Sequence, residues 1–179
     1  MQLILIHGAP ATGKRTVGQA LCDLTGVPLL DNHATHTVPR MVFGFGEPGF
    51  WDLVHDLRLT TFSAAARAGL PALIVTSAYS APQDDPLVDE YENTVAAQGG
   101  TLQPIYLHCS RETQLSRVTA PDRRARGKLA TREGLEPYLD RNRFVAIKRD
   151  NCLTFSTETT PAADTAQAIA AALGLPEKA

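Results

Sequence analysis

The chain has 179 residues, of which 44% are hydrophobic and 20% charged, and its formal net charge at pH 7 is −2. These values are typical of a single globular domain with a substantial core. The near-neutral charge favours neither a nucleic acid nor an anionic membrane as partner, and no apolar run is long enough to span a bilayer. We therefore expect a cytoplasmic protein, a monomer or homodimer, whose ligands are small molecules.

In chain order, short apolar runs alternate with helical stretches, a pattern typical of a parallel sheet with crossover helices. The sequence thus predicts an α/β fold of three layers, α/β/α, around a five-stranded parallel sheet. Strands are predicted at 2–7, 27–31, 72–76, 102–108 and 152–156. Helices are predicted at 14–24, 35–43, 50–68, 86–98, 111–119, 132–143 and 161–173. Ligands of such sheets bind at the carboxyl ends of the strands, which places the candidate site.

The first predicted strand leads into a glycine loop and then a helix, the context that predicts a phosphate-binding loop when the loop reads G-x-x-x-x-G-K. Its two glycines allow a close backbone approach, and successive N–H groups with the helix N-terminus favour a polyphosphate. Lys14 adds a full charge for the outer phosphates, and a plain glycine-rich turn is the alternative. The predicted nucleotide-binding residues are Gly8, Ala9, Pro10, Ala11, Thr12, Gly13, Lys14, Arg15 and Thr16.

This loop departs from the usual pattern at one position. Arg15 follows the lysine, where Ser or Thr normally supplies a hydroxyl to Mg²⁺, and the hydroxyl comes one residue later, at Thr16. No acidic residue ends the third predicted strand. Thr16 is therefore the one candidate metal residue, and the ion lacks an obvious protein ligand.

Polar residues follow the second predicted strand. Asp31, Asn32 and His33 would stand beside the loop phosphates, where a carboxylate could accept a proton from a substrate hydroxyl. His33 competes for the role of base because its ordinary pKa is near neutrality. The alternative is that Asp31 or Asn32 only caps the next helix. His36 is expected at the surface or in a groove.

The segment 32–70 is rich in aromatic residues and glycine, and we predict that it is a substrate-binding insert within one domain, 1–179. Trp51 and Arg58 are its candidate substrate contacts, although single aromatics commonly seal a core and isolated helical arginines are commonly solvated. After the third predicted strand, Thr76 and Ser77 could bind substrate or form a local turn.

Basic residues cluster in the segment 117–131, at positions 117, 123, 124, 126 and 128. Such a segment in a chain of net negative charge suits a lid that closes over phosphates, and a nucleic-acid patch or a solvated loop is the alternative. We assign Arg124 as the candidate catalytic arginine. The three cysteines, Cys22, Cys109 and Cys152, have no metal-type spacing and are predicted to be reduced, with a catalytic thiol at Cys109 the less favoured alternative.

The loop Gly-Ala-Pro-x-x-Gly-Lys-x-Thr resembles that of adenylate kinase. The order of loop, basic lid and Thr-x-Thr-Thr-Pro before the last helix resembles the small P-loop kinases, which include shikimate kinase, gluconate kinase, chloramphenicol phosphotransferase and the tunicamycin-resistance proteins. The resemblance covers nearly the whole chain and implies a P-loop nucleoside triphosphate hydrolase architecture. Thr76-Ser77-Ala78 stands where shikimate kinase has a glycine-rich motif, which argues against shikimate as the substrate.

The resemblance also implies roles for single residues. It implies that Thr16 reaches an inner phosphate while the metal is held mostly through water. It implies that Asp31 serves as base, as a lone aspartate does in chloramphenicol phosphotransferase. Arg117 and Thr157 would lie near the nucleotide base, and Arg124 would act from the lid.

These observations predict an ATP-dependent phosphotransferase that moves the γ-phosphate to a hydroxyl of a small polar molecule, with ATP and Mg²⁺ as cofactors. An antibiotic of the tunicamycin or chloramphenicol type is the narrower expectation for the acceptor. The alternative is a nucleotide-binding regulatory protein or a drug-sequestering protein with little or no kinase activity.

Overall fold

The computed structural model describes residues 1–120 and 130–178 of the chain. Its centre is a five-stranded sheet in which every neighbouring pair is parallel, in the order β2-β3-β1-β4-β5. The strands are β1 (Gln2–His7), β2 (Leu29–Leu30), β3 (Ala72–Ser77), β4 (Thr101–His108) and β5 (Leu153–Ser156). The predicted parallel α/β fold is confirmed, and β1 lies at its centre.

Helices cover both faces of the sheet. In the part of the chain that the structure describes they are α1 (Lys14–Thr25), α2 (Ala34–Val42), α3 (Phe50–Arg67), α4 (Asp85–Ala96), α5 (Arg111–Arg117), α6 (Arg132–Arg141) and α7 (Ala162–Leu173). Alternate side chains of β1 point to opposite faces, so Ile4 packs with α1 and α7 whereas Leu5 packs with α3 and α4. Burial on both faces explains the unbroken apolar runs of the central strands.

The second strand is shorter than the predicted range 27–31. Only Leu29 and Leu30 pair with β3. At its start, Pro28 can accept a hydrogen bond from Ile74 (2.9 Å) but has no N–H to donate. Beyond its end, the Asn32 N–H donates to the Thr76 hydroxyl at 2.9 Å, so a side chain takes the place of the strand ladder. The polar residues that follow are thereby released from the sheet.

The predicted lid, 117–131, falls largely on 121–129, which lie outside the described residues together with Arg123, Arg124, Arg126 and Lys128. On its near side α5 ends at Arg117. On its far side the Thr131 hydroxyl caps α6 by accepting from the Gly134 N–H at 3.2 Å. Within 1–120 and 130–178, every helix is too short or too polar to cross a lipid bilayer.

Candidate active site

The predicted phosphate-binding loop joins β1 to α1 and contains three residues with positive φ. Gly8 has φ +142°, Ala11 +65° and Gly13 +89°. A Cβ on Gly8 would collide with the main-chain carbonyl oxygen of Leu107 at the end of β4, so this glycine is needed for the close approach of two backbones. Ala11 tolerates a conformation that L-residues avoid, which marks the loop as a strained segment of the kind that clusters at functional sites.

Two threonines fix the loop from within the protein. The Thr12 hydroxyl donates to the Ala9 carbonyl at 2.9 Å, and the buried Thr157 hydroxyl donates to the Thr12 carbonyl at 2.9 Å. Thr157 therefore supports the phosphate loop directly, a role that the sequence analysis did not assign. Its contact with a nucleotide base stays a prediction.

Lys14 begins α1 and turns back over the loop. Its ammonium group donates to the carbonyl oxygens of Gly8 at 2.7 Å and Ala9 at 2.6 Å. The Lys14 charge thus lies at the loop, beside the N-terminus of α1. Both this charge and the positive end of the helix dipole favour a bound anion. Burial first, and the Lys14 charge second, lower the pKa of neighbouring His7 to about 3, so its imidazole is neutral at physiological pH.

Asp31 lies beside this loop, as its position after the second strand predicted. Its Oδ2 is 2.5 Å from Nε of Arg15, the residue directly after Lys14, and its Oδ1 accepts a hydrogen bond from the Thr76 hydroxyl at 3.2 Å. Thr76 is buried on β3, and the same hydroxyl accepts from Asn32. Arg15, which the sequence analysis assigned to nucleotide binding, thus links the loop to Asp31.

Arg58 was predicted as a substrate contact, with a solvated helical arginine as the alternative, and its burial excludes that alternative. Arg58 is buried on α3, and its guanidinium donates to Tyr91 Oη (3.0 Å), Thr35 Oγ1 (3.3 Å) and the Asn32 side-chain oxygen. A buried cation needs such partners. The Arg58 guanidinium and the Asn32 side-chain oxygen are therefore paired with each other inside the protein, below the predicted acceptor site.

His36 was expected at the surface or in a groove, and its burial excludes an exposed surface position. His36 is buried against the rings of His33, Phe45, Phe50 and Trp51, with centroid separations from 5.4 to 6.3 Å. Burial, reinforced by the Arg58 charge, lowers its pKa to about 4. The residue is therefore a neutral ring in an aromatic cluster that runs from His33 to the half-exposed Trp51.

The other predicted residues occupy different surroundings. Arg117 donates to the carbonyl oxygens of Thr157 (2.7 Å) and Glu158 (3.3 Å), at the loop after β5. The Ser77 hydroxyl donates to the Ala78 carbonyl at 3.1 Å. This contact is typical of the local turn that was the alternative to substrate binding. Burial raises the pKa of the Cys109 thiol, which opposes its use as a nucleophile.

The donor groups near the loop do not form a metal cage by themselves. Thr16, the candidate metal residue, is exposed on the first turn of α1, and Asp31 is already engaged by Arg15 and Thr76. Across 1–120 and 130–178, no three His, Cys, Asp or Glu side chains converge as metal ligands would.

Comparison with known proteins gives no match to a protein-family model and none to a curated sequence. Solved structures do match over nearly the full chain. A proposed kinase from Chloroflexus aurantiacus is 22% identical, with a TM-score of 0.71 and coverage of 94% of this chain and 96% of its own. The tunicamycin resistance protein of Deinococcus radiodurans is 16% identical (TM-score 0.63; 100% and 99% covered). Shikimate kinase from Acinetobacter baumannii is 24% identical (TM-score 0.60; 96% and 93% covered).

These identities are too low to transfer an activity or a substrate, and what they establish is the architecture. The alignments cover 94% to 100% of this chain, with TM-scores from 0.60 to 0.71. The resemblance read from the sequence is confirmed at this level: the chain has the fold of the small P-loop kinases.

Proposed function

We propose that the protein is an ATP-dependent phosphotransferase that acts on a hydroxyl group of a small molecule. One observation carries the proposal. The Asp31 carboxylate lies 2.5 Å from the guanidinium of Arg15, the residue that follows Lys14, so a candidate base stands directly beside a phosphate loop. A general base must lie within reach of the proton that it removes, and this edge of the sheet is where the acceptor of a bound nucleotide would sit.

These residues would support transfer of the γ-phosphoryl group to the acceptor hydroxyl. The acceptor oxygen forms a bond to the γ-phosphorus, the bond from that phosphorus to the β,γ-bridging oxygen breaks, and ADP leaves. The hydroxyl proton passes to the Asp31 carboxylate. Lys14 and the loop N–H groups hold the phosphates, and Arg124 would neutralise charge from the lid. Mg²⁺ would arrive on the nucleotide phosphates, where it lowers their charge; no described residue is assigned to bind it, Thr16 excepted.

The acceptor is proposed to lie between Asp31 and the aromatic cluster around His36. Asn32, His33 and Trp51 would line its site, with Arg58 fixing Asn32 from below. The narrower proposal is an antibiotic acceptor, of the tunicamycin or chloramphenicol type. A tunicamycin resistance protein shares the fold, which supports testing such compounds but assigns no substrate to this chain.

The Arg15–Asp31 ion pair also favours a second function. The Asp31 carboxylate is bound by the Arg15 guanidinium and by the Thr76 hydroxyl. At least one of these contacts would have to break before the carboxylate could bind a substrate hydroxyl. A nucleotide-binding regulatory protein, or one that sequesters a drug without modifying it, would need no such exchange. The two functions differ in whether any acceptor stimulates ATP turnover.

The test is ADP release with ATP and Mg²⁺ against shikimate, gluconate, nucleoside monophosphates, chloramphenicol and tunicamycin. The proposal expects at least one hydroxyl compound to stimulate ADP release, with a phosphorylated product found by mass spectrometry. The Lys14→Ala variant should abolish this turnover. ATP binding without stimulation by a wider panel of alcohols would favour the regulatory function, and drug resistance retained in Lys14→Ala cells would favour sequestration.

A further inference from the structure

The large hydrophobic side chains that the described residues expose all lie in one short stretch of the chain. They are Val38, Met41, Val42, Phe45 and Trp51. The first three follow helical i, i+3, i+4 spacing on the outer face of α2. Phe45 and Trp51 come from the connection to α3 and the start of α3, with their ring centroids 5.5 Å apart. Helical spacing puts Val38, Met41 and Val42 on the face of α2 opposite His36, whereas Phe45 and Trp51 lie beside the His36 ring. We call Phe45 and Trp51 the apolar patch.

The apolar patch is continuous with the candidate acceptor site. The His36 ring lies 5.4 Å from Trp51 on one side and 5.4 Å from His33 on the other, and His33 is two residues beyond Asp31. A line of ring contacts therefore leads from the candidate base to the exposed patch. Exposed apolar patches of this kind mark binding surfaces rather than ordinary solvent-facing surface.

His36 gives a second, independent indication of a ligand. The residue is 5% exposed, and within 1–120 and 130–178 neither of its ring nitrogens has a hydrogen-bond partner. Buried polar atoms are nearly always paired, because desolvating them without a partner costs free energy. A neutral imidazole offers one donor and one acceptor, so it could pair with a hydroxyl or ether group of a molecule placed between Asp31 and the apolar patch.

We infer that the acceptor is an amphiphilic alcohol, with its reacting hydroxyl at Asp31 and an apolar body on the apolar patch. This inference rests on the proposed phosphotransferase function and narrows its substrate class. A strictly polar acceptor, such as a free sugar acid, would leave the patch in water. We infer a small molecule rather than a protein surface as the ligand, because the ring contacts lead from the patch to the buried His36 and toward the candidate base. A small substrate can extend to such groups, whereas a protein surface would cover only the exposed rings.

Trp51 makes the test direct, since it is the only tryptophan in the chain and is half-exposed on the patch. The probe is octyl β-D-glucoside below its micellar concentration, and methyl β-D-glucoside is its matched control with the same polar head. We expect a saturable shift of Trp51 fluorescence with the octyl compound, and at least tenfold weaker binding of the methyl compound. The Phe45→Ser variant, which leaves the Trp51 probe in place, should weaken octyl glucoside binding at least tenfold.

The control variant is Ala171→Ser with Ala172→Ser, two exposed positions on α7, which should bind octyl glucoside as the wild type does. Thermal melting establishes that both variants fold. Equal binding of the two glucosides, or no binding, overturns the inference. A concentration-dependent dimer that Phe45→Ser loses also overturns it, because the patch would then bind a second copy of the chain. Co-sedimentation with phosphatidylglycerol vesicles in place of glucoside binding overturns it too, because the patch would then bind a membrane.

The two proposals fail in different measurements. The fluorescence titration measures binding and needs no turnover. If no acceptor stimulates ADP release, the phosphotransferase proposal is rejected while the titration result still stands. Turnover of a polar acceptor by a protein that ignores octyl glucoside rejects only the amphiphilic acceptor.

Discussion

Each oxygen of the Asp31 carboxylate has its own partner, Arg15 at Oδ2 and Thr76 at Oδ1. An Asp31→Asn variant has the same shape but cannot take a proton from the acceptor. We expect kcat to fall by about 10² to 10⁴-fold, as for the loss of a general base, while the Kd of ATP stays unchanged. Steady-state turnover and nucleotide titration measure the two quantities. Asp23→Asn, on the exposed side of α1, is the matched control, and an unchanged kcat in Asp31→Asn would exclude Asp31 as the base.

Thr76 acts on the reaction through Asp31 and Asn32, so it is a positioning residue. Thr76→Val removes the donor to Asp31 and leaves the Asn32 N–H without its acceptor. An unsatisfied buried donor costs about 1–3 kcal/mol, and we expect a loss of this size in the free energy of unfolding, measured in urea. The fall in kcat should be smaller than in Asp31→Asn, with KM for ATP unchanged. Thr76→Ser keeps the hydroxyl and should restore both; a failure of serine to do so would refute the positioning role.

At the scale of single elements, the phosphate loop contains two glycines that are needed for different reasons. A Cβ at Gly8 meets the main chain of β4, whereas at Gly13 the space is open and only the positive φ opposes a side chain. Gly13→Ala should therefore cost about 1–2 kcal/mol of unfolding free energy. Gly8→Ala should cost about 3 kcal/mol or more, because steric overlap adds to the backbone strain. Denaturant unfolding of both variants measures the difference, and equal losses would contradict it.

The sequence predicted the position of this loop because a strand followed by glycines, a lysine and a helix is a local pattern. It also predicted that Asp31 would lie beside the loop, since parallel strands end at one edge of the sheet. The length of β2 could not be predicted, because a hydroxyl from β3 replaces its last backbone partner. The partner of Arg15 could not be predicted either, since an ion pair between separate elements leaves no periodic pattern in the chain.

At the scale of the whole molecule, the alternation of apolar runs and helices was enough to predict the sheet and its two covered faces. The fate of single polar residues was not predictable from that pattern. Arg58 is buried because Asn32, Thr35 and Tyr91, from separate parts of the chain, converge on its guanidinium. His36 is buried because the residues after α2 fold back over its ring. Both outcomes depend on non-local contacts, which composition and spacing along the chain do not reveal.

The burial of His36 predicts how the stability of the whole fold depends on pH. In the unfolded chain this imidazole takes a proton near its ordinary pKa of 6.5, whereas in the folded protein its pKa is about 4. Arg58, His33 and Arg40 oppose its protonation and Asp31 favours it, but desolvation is the largest cause. Between these two values the unfolded state binds more protons, so stability is full above pH 6.5 and falls as the pH decreases toward 4.

Replacement of His36 by phenylalanine isolates this contribution, because a ring of similar size keeps the contacts with Phe50 and Trp51. Urea unfolding at pH 7 and pH 5 should show that the wild type loses roughly 2 kcal/mol more than His36→Phe between the two values, at 1.36 kcal/mol per pKa unit. Carboxylates and His7, whose pKa is also lowered, titrate in both proteins and cancel in the comparison. Parallel pH profiles for the two proteins would mean that folding does not lower the pKa of His36, and the buried, neutral ring assigned to the acceptor site would be wrong.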